Sequence, residues 1–208
     1  MKSEQNYIKD LSDIRQMMER STRFVSLTGW SGIMAGIYAL VGAYVAYRMF
    51  YSGDEGKFMT QMSDKPETAI ILQLFLVALI VLALAIGTAI WMSARRAKRR
   101  QEYIWNPAAR RLVVHLSIPL VTGGLFILIL VLKGMMGLIA PASLVFYGLA
   151  LINASKFTFE DVKFLGMAQI VLGLLGTWMT GAGLILWAIG FGIMHIVYGI
   201  HMQWRYER

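Results

Sequence analysis

Long apolar runs succeed one another along the chain, separated by short polar stretches. Residues 24–47 (FVSLTGWSGIMAGIYALVGAYVAY) and 68–93 (TAIILQLFLVALIVLALAIGTAIWMS) carry no charged side chain. Each is long enough for one membrane-crossing helix, which needs ~20 residues. Residues 112–155 hold a single charge, Lys133, beside Gly134. As one straight helix at ~1.5 Å per residue, that run would be about twice the ~30 Å hydrocarbon thickness. It therefore predicts two spans with a turn at residues 133–137. Residues 164–204 carry no formal charge and are again too long for one crossing; the turn is predicted at Thr180-Gly181-Ala182-Gly183. The expected fold is all-α: a polytopic bundle of six transmembrane helices forming one domain over residues 24–208. The spans fall at about 24–47, 68–93, 112–132, 136–155, 162–180 and 183–204.

Local signals mark several helix starts. Asn106-Pro107 reads as an N-cap followed by proline at the first helical position, and Pro66 does the same before the second span. Thr158-Phe159-Glu160-Asp161 resembles a capping box with aspartate in the glutamate place. Pro119 lies inside the third span, which membrane helices tolerate when a neighbour satisfies the freed carbonyl. Ahead of the bundle, residues 1–23 predict a cytoplasmic amphipathic helix. Ile8, Leu11, Ile14 and Met18 form its stripe, and Lys9/Asp13, Arg15/Glu19 and Glu19/Arg23 are opposite-charge pairs four residues apart.

Composition narrows the solvent. The chain is 57% hydrophobic and only 15% charged, against about 25% charged in soluble domains. Lipid must therefore surround most of it. With no cysteine, thiolate chemistry and disulfides are excluded. The basic residues set orientation. Sixteen of the 20 Lys and Arg fall on the side of the two ends under a six-span layout and four on the other. Basic residues in short loops stay cytoplasmic, so both termini are expected inside. The net charge of +8 is then a topology signal rather than a nucleic-acid surface.

The strongest basic stretch is ARRAKRRQEYIWNPAARR, residues 94–111. Arg95, Arg96, Lys98, Arg99, Arg100, Arg110 and Arg111 are the expected contacts for anionic lipid headgroups or a partner. Tyr103 and Trp105 suit the interface beside them. No glycine-rich phosphate loop accompanies the patch.

Small residues predict which helices approach closely. The first span carries Gly29, Gly32, Gly36 and Gly42, and the sixth Gly183, Gly190, Gly192 and Gly199. These ladders mark either the bundle core or a dimer face. The second span, nearly all Leu, Ile, Val and Ala, is expected to face lipid widely.

Catalytic chemistry has little to stand on. No Asp or Glu lies within any predicted span, and no HExxH or GxSxG spacing occurs. The absence of membrane carboxylates counts against coupled transport. His115 and His201 are each predicted ~4.5 Å below the cytoplasmic boundary, and His195 ~14 Å below it. His115 and His201, with His195, are the candidates for a cofactor site. A pair of imidazoles on two helices is how haem b or a divalent metal is held; hydrogen bonding between helices is the other reading. Gln73, Gln169, Thr122, Thr177 and Asn153 are the candidates for a polar path.

The six-span layout of about 200 residues has glycine-rich helices and an ending GFGIMHIVYGIHMQWRYER. In hydropathy and in the glycine/aromatic texture of spans five and six it resembles small bacterial inner-membrane proteins of the HdeD acid-resistance type. The resemblance implies a multi-pass protein of the bacterial inner membrane with a stress-associated or accessory role. The expected function is non-enzymatic, without a cofactor, exerted on a membrane-protein partner or a second copy. A small-solute or ion channel or transporter is the first alternative and a haem- or metal-binding protein the second.

Overall fold

The computed structural model describes residues 28–51, 67–99, 101, 103, 105–179 and 181–206. All regular structure among them is helical: α1 (Gly29–Tyr51), α2 (Glu67–Arg99), α3 (Pro107–Leu132), α4 (Ile139–Ala154), α5 (Val162–Trp178) and α6 (Gly183–Tyr206). Five of them are long and apolar enough to cross a membrane, so the chain has the make-up of a membrane helix bundle. The exception is α5, which is apolar but has 17 residues, about 25 Å at ~1.5 Å each. The amphipathic segment expected at 1–23 and the cap at Pro66 lie outside the described residues.

The turns fall where the charge and glycine pattern put them. Lys133 caps α3, and Gly134 takes the left-handed conformation at φ 70° before a short 3-10 turn, Met136–Leu138, leads into α4. Gly181, at φ 96°, turns the chain between α5 and α6. Both positions need a backbone that side chains disfavour. At the start of α3 the Asn106 side-chain oxygen accepts from the Ala109 N–H at 2.8 Å, with Pro107 in the first turn. This cap starts α3 five residues earlier than the charge pattern predicts. At its other end α2 runs past the predicted boundary at 93, carrying Arg95, Arg96, Lys98 and Arg99 on helix.

Pro119 sits within α3. A proline there has no N–H for the carbonyl four residues back, that of His115. Asn153 Nδ2 on α4 donates to this carbonyl at 3.4 Å. A neighbouring helix thus supplies the donor that the proline lacks.

The helices form a row rather than a closed ring. Helix α2 packs on α1, α1 on α6, α6 on α4 and α5, and α3 on α4. The row is held by glycine crossings. A Cβ on Gly199 of α6 would lie 2.5 Å from the Gly29 carbonyl oxygen, and one on Gly36 of α1 2.6 Å from that of Gly192. The expected ladders on α1 and α6 therefore meet each other within the chain. A second crossing joins α4 to α5. There a Cβ on Gly148 would lie 2.5 Å from the Gly166 carbonyl oxygen, and one on Gly166 2.8 Å from that of Gly148. Without a hydrophobic drive between helices in lipid, such close backbone approach supplies the packing.

The outer helices differ sharply from the inner ones. Over residues 71–99 of α2 only Ser93 and Ala97 are buried. Leu72, Phe75, Leu79 and Ile80 are exposed on α2, as are Val113, Ile118, Val121 and Leu125 on α3. The wide outward face expected of the second span is present.

Helices successive in the chain alternate in direction, so their ends gather in two groups. Arg96 near the end of α2 donates to the Tyr206 carbonyl at the end of α6, and Arg205 reaches Asp161 before α5. His115 near the start of α3 stacks on Phe157 after α4, with ring centroids 4.6 Å apart.

Candidate functional site

The most polar part of the interior is built where α6 departs from regular α-helix. Residues Ala188–Met194 form a π-helical segment. Such segments widen the turn and often sit at functional sites. This one lies between two neighbours. Gly192 faces Leu40 of α1, while Gly190 faces Leu144 of α4 and Gln169 of α5. A Cβ at Gly190 would lie 2.5 Å from both the Gln169 Oε1 and a Leu144 methyl, so a larger residue there would turn both side-chain ends aside.

The Gly190 carbonyl is the centre of the cluster. Gln169, fully buried, donates to it through Nε2 at 2.8 Å. His195 Nδ1 lies 3.1 Å from the same oxygen. A carbonyl only accepts, so Nδ1 carries the proton and Nε2 is left as an acceptor. The Tyr147 hydroxyl of α4, 2.8 Å from Nε2, therefore donates to it. Both ring nitrogens of His195 are engaged. Trp187, Phe191 and His195 follow at four-residue intervals, and Tyr147 packs against Phe191 with centroids 4.9 Å apart. Gln169 Oε1 and the Tyr198 hydroxyl are buried without a hydrogen-bond partner.

The strength of the Tyr147–His195 bond is measurable. A double-mutant cycle with Tyr147→Phe and His195→Phe is expected to give a coupling of about 0.6–2 kcal/mol, the range for hydrogen bonds between membrane helices. Detergent unfolding of the four proteins measures it, and a coupling indistinguishable from zero would remove the bond from the argument.

A second cluster closes the end of the bundle. Asp161, with a side chain 11% exposed, stands at the N-cap of α5 but makes no side-chain cap bond. The capping box expected at residues 158–161 is therefore not the arrangement that forms. Instead the Asp161 carboxylate accepts from Arg205 Nη1 at 3.3 Å and from the Tyr206 hydroxyl at 3.1 Å, with His201 Nε2 at 3.5 Å. Three groups at the end of α6 outcompete a local cap, and the positive end of α5 favours the same carboxylate. Tyr206 also packs on Phe159, with centroids 4.4 Å apart.

The three candidate histidines thus have three different settings. His115 stacks on Phe157, His195 is held by Gly190 and Tyr147, and His201 faces Asp161. Among the described residues no group of three or more His, Asp or Glu could hold a metal ion. The polar-path candidates separate too. Gln73 is exposed on the outer helix, Thr122 and Thr177 bond to carbonyls of their own helices, and Asn153 reaches α3. Of the five, Gln169 alone enters the central cluster.

A scan against family models, a search of curated proteins and a search of solved structures return no match.

The basic stretch divides as well. Arg95 lies over the Trp91 ring at 5.6 Å, and Arg96 donates to the Tyr206 carbonyl. Lys98 and Arg99 are exposed in the last turn of α2, and Arg100 lies outside the described residues. Arg110 and Arg111 project from the first turns of α3 into a groove with Trp105 and His115. Pattern reading passed over Tyr147 and Tyr206, and it gave Gly190 and Asp161 other roles, a packing glycine and a cap. One signal for Asp161 was available: counting outward from the turn at Gly181, positions 161 and 201 are equidistant in an antiparallel pair.

Proposed function

We propose that this chain is a non-enzymatic, six-span protein of the bacterial inner membrane, with both ends in the cytoplasm. It acts as an accessory or scaffold component through contact with a membrane partner or a second copy. The observation that carries this reading is the division of labour among the helices. The polar groups of α4, α5 and α6 fasten helices to one another, while α2 and α3 keep long apolar faces bare. The gathering of the α2, α3, α5 and α6 basic ends supports the shared cytoplasmic side. Photo-crosslinking residues placed at Leu79 on α2 and Leu125 on α3 test it in native membranes. Discrete protein adducts at one face are expected; adducts with lipid alone at both faces would overturn the reading.

The second reading is passage of protons or a small polar solute along α6. Two observations favour it: the π-helical segment and the unpartnered Gln169 Oε1 and Tyr198 hydroxyl. Ionisable groups inside a bundle mark such paths by default. Proteoliposomes carrying a pH-sensitive dye separate the two: proton flux lost in His195→Phe favours passage, and no flux favours the scaffold. The haem reading has less support, because His115 and His201 are committed to different partners.

A further inference from the structure

The groove at the start of α3 holds positive charge that no described residue neutralises. Arg110 and Arg111 line it with Trp105 and His115, and among the described residues no acidic side chain does. Among the described residues neither guanidinium has an ion-pair or hydrogen-bond partner. This contrasts with Arg96 and Arg205, which are tied to Tyr206 and Asp161. An unpaired arginine pair presents planar forks that match phosphate oxygens. Trp105 beside it is the side chain typical of the headgroup level.

A second groove lies further along α3. It lies between α3 and α4 and is lined by Pro119, Thr122, Phe146, Leu149 and Ile152. The Asn153–His115 bond stands between the two, with His115 bordering the first groove and Asn153 the second. From His115 to Thr122 the helix rises about 10 Å at ~1.5 Å per residue. An apolar groove thus lies about a third of the ~30 Å hydrocarbon layer further along α3 than the charged one.

We propose that α3 carries a site for one anionic glycerophospholipid, its phosphate on Arg110 and Arg111 and one acyl chain in the α3–α4 groove. The site rests on the membrane reading above and gives it a specific lipid partner. Charge selects an anionic headgroup over a zwitterionic one, because among the described residues no carboxylate lines the groove to meet a choline or ethanolamine cation. The acyl groove selects a membrane lipid over free phosphate.

Native mass spectrometry of the full-length chain in detergent tests this with phosphatidylglycerol, phosphatidylcholine and inorganic phosphate as probes. Phosphatidylglycerol is expected to bind as a single preferred adduct. Arg110→Gln with Arg111→Gln is expected to weaken it roughly 25-fold, which is about 2 kcal/mol at 1.4 kcal/mol per tenfold. Lys98→Gln with Arg99→Gln, on α2, is expected to change it less than about twofold. Leu149→Trp, filling the apolar groove, is expected to weaken the long-chain lipid but not its dibutyroyl analogue. Equal binding of the two lipids, equal loss from both cationic pairs, or inorganic phosphate binding as tightly as phosphatidylglycerol would each overturn the site. Carbonate washing of native membranes separates the two readings. Wild-type chain released to the supernatant would sink membrane insertion itself, whereas retained chain without phosphatidylglycerol preference sinks the lipid site alone.

Discussion

Gly148→Ala and Gly199→Ala are each expected to lower stability in mild detergent by about 2–3 kcal/mol. Leucine at either position is expected to prevent recovery of folded protein. The cause is contact with backbone, not with a side chain that can turn away. A Cβ at Gly148 would press on the Gly166 carbonyl 2.5 Å away and on the Ile170 amide nitrogen at 3.0 Å. One at Gly199 would lie 2.5 Å from the Gly29 carbonyl and 2.7 Å from the Ile33 amide nitrogen. Relief requires whole helices to separate, which gives up contacts along the entire crossing. Gly87→Ala and Gly124→Ala provide the comparison, since a Cβ at either meets nothing within 4 Å. Both are expected to be neutral within about 0.5 kcal/mol or mildly stabilising, because alanine is the better helix former. Thermal unfolding followed by circular dichroism measures all four. Similar losses at all four positions would mean that these crossings do not carry the fold.

Asp161→Ala is expected to cost about 1.5–3 kcal/mol, the range for hydrogen bonds made to a charged group. Removing the carboxylate takes one acceptor from Arg205, His201 and Tyr206 together. Arg205 and His201 are more than half exposed, so water satisfies them afterwards and the loss stays below that for a fully buried pair. Asp161→Asn keeps an acceptor of the same shape and is expected to lose about half as much. The change should be local. Hydrogen exchange is expected to rise at the start of α5 and the end of α6 while the α1–α6 crossing at Gly29 and Gly199 stays protected. Uniform loss of protection across the bundle would make Asp161 a general stability residue rather than a clasp for one end.

These effects could be read from the sequence to different depths. The cap at Asn106 and the turns at Gly134 and Gly181 were legible, because each depends on a few consecutive residues. So was the outward face of α2, whose small residues Ala85, Ala89, Ser93 and Ala97 recur every four positions on one side and leave the Leu and Ile positions outside. The ladders on α1 and α6 were visible, but their partner was not. Whether Gly32 and Gly36 meet another helix of this chain or another molecule depends on how distant helices cross. The α4–α5 crossing went unread because Gly148 is the one glycine of α4, and the α5 glycines that approach the α4 backbone, Gly166 and Gly173, are seven residues apart rather than four. Asp161 was misread for a related reason: a local rule offered a cap, while three donors forty residues away offered a better site.

Hydropathy and charge by themselves located the long apolar helices and the turns at Gly134 and Gly181, because transfer energy is set by each segment separately. The tertiary structure alone decided the partners of the polar groups. Tyr147, Gln169 and His195 meet through the π-helical segment at Gly190, and among the described residues the Arg110 guanidinium has no partner while that of Arg205 has one. In lipid an isolated polar side chain gains only from an aligned partner, and alignment depends on which helices cross, at what depth and on which face.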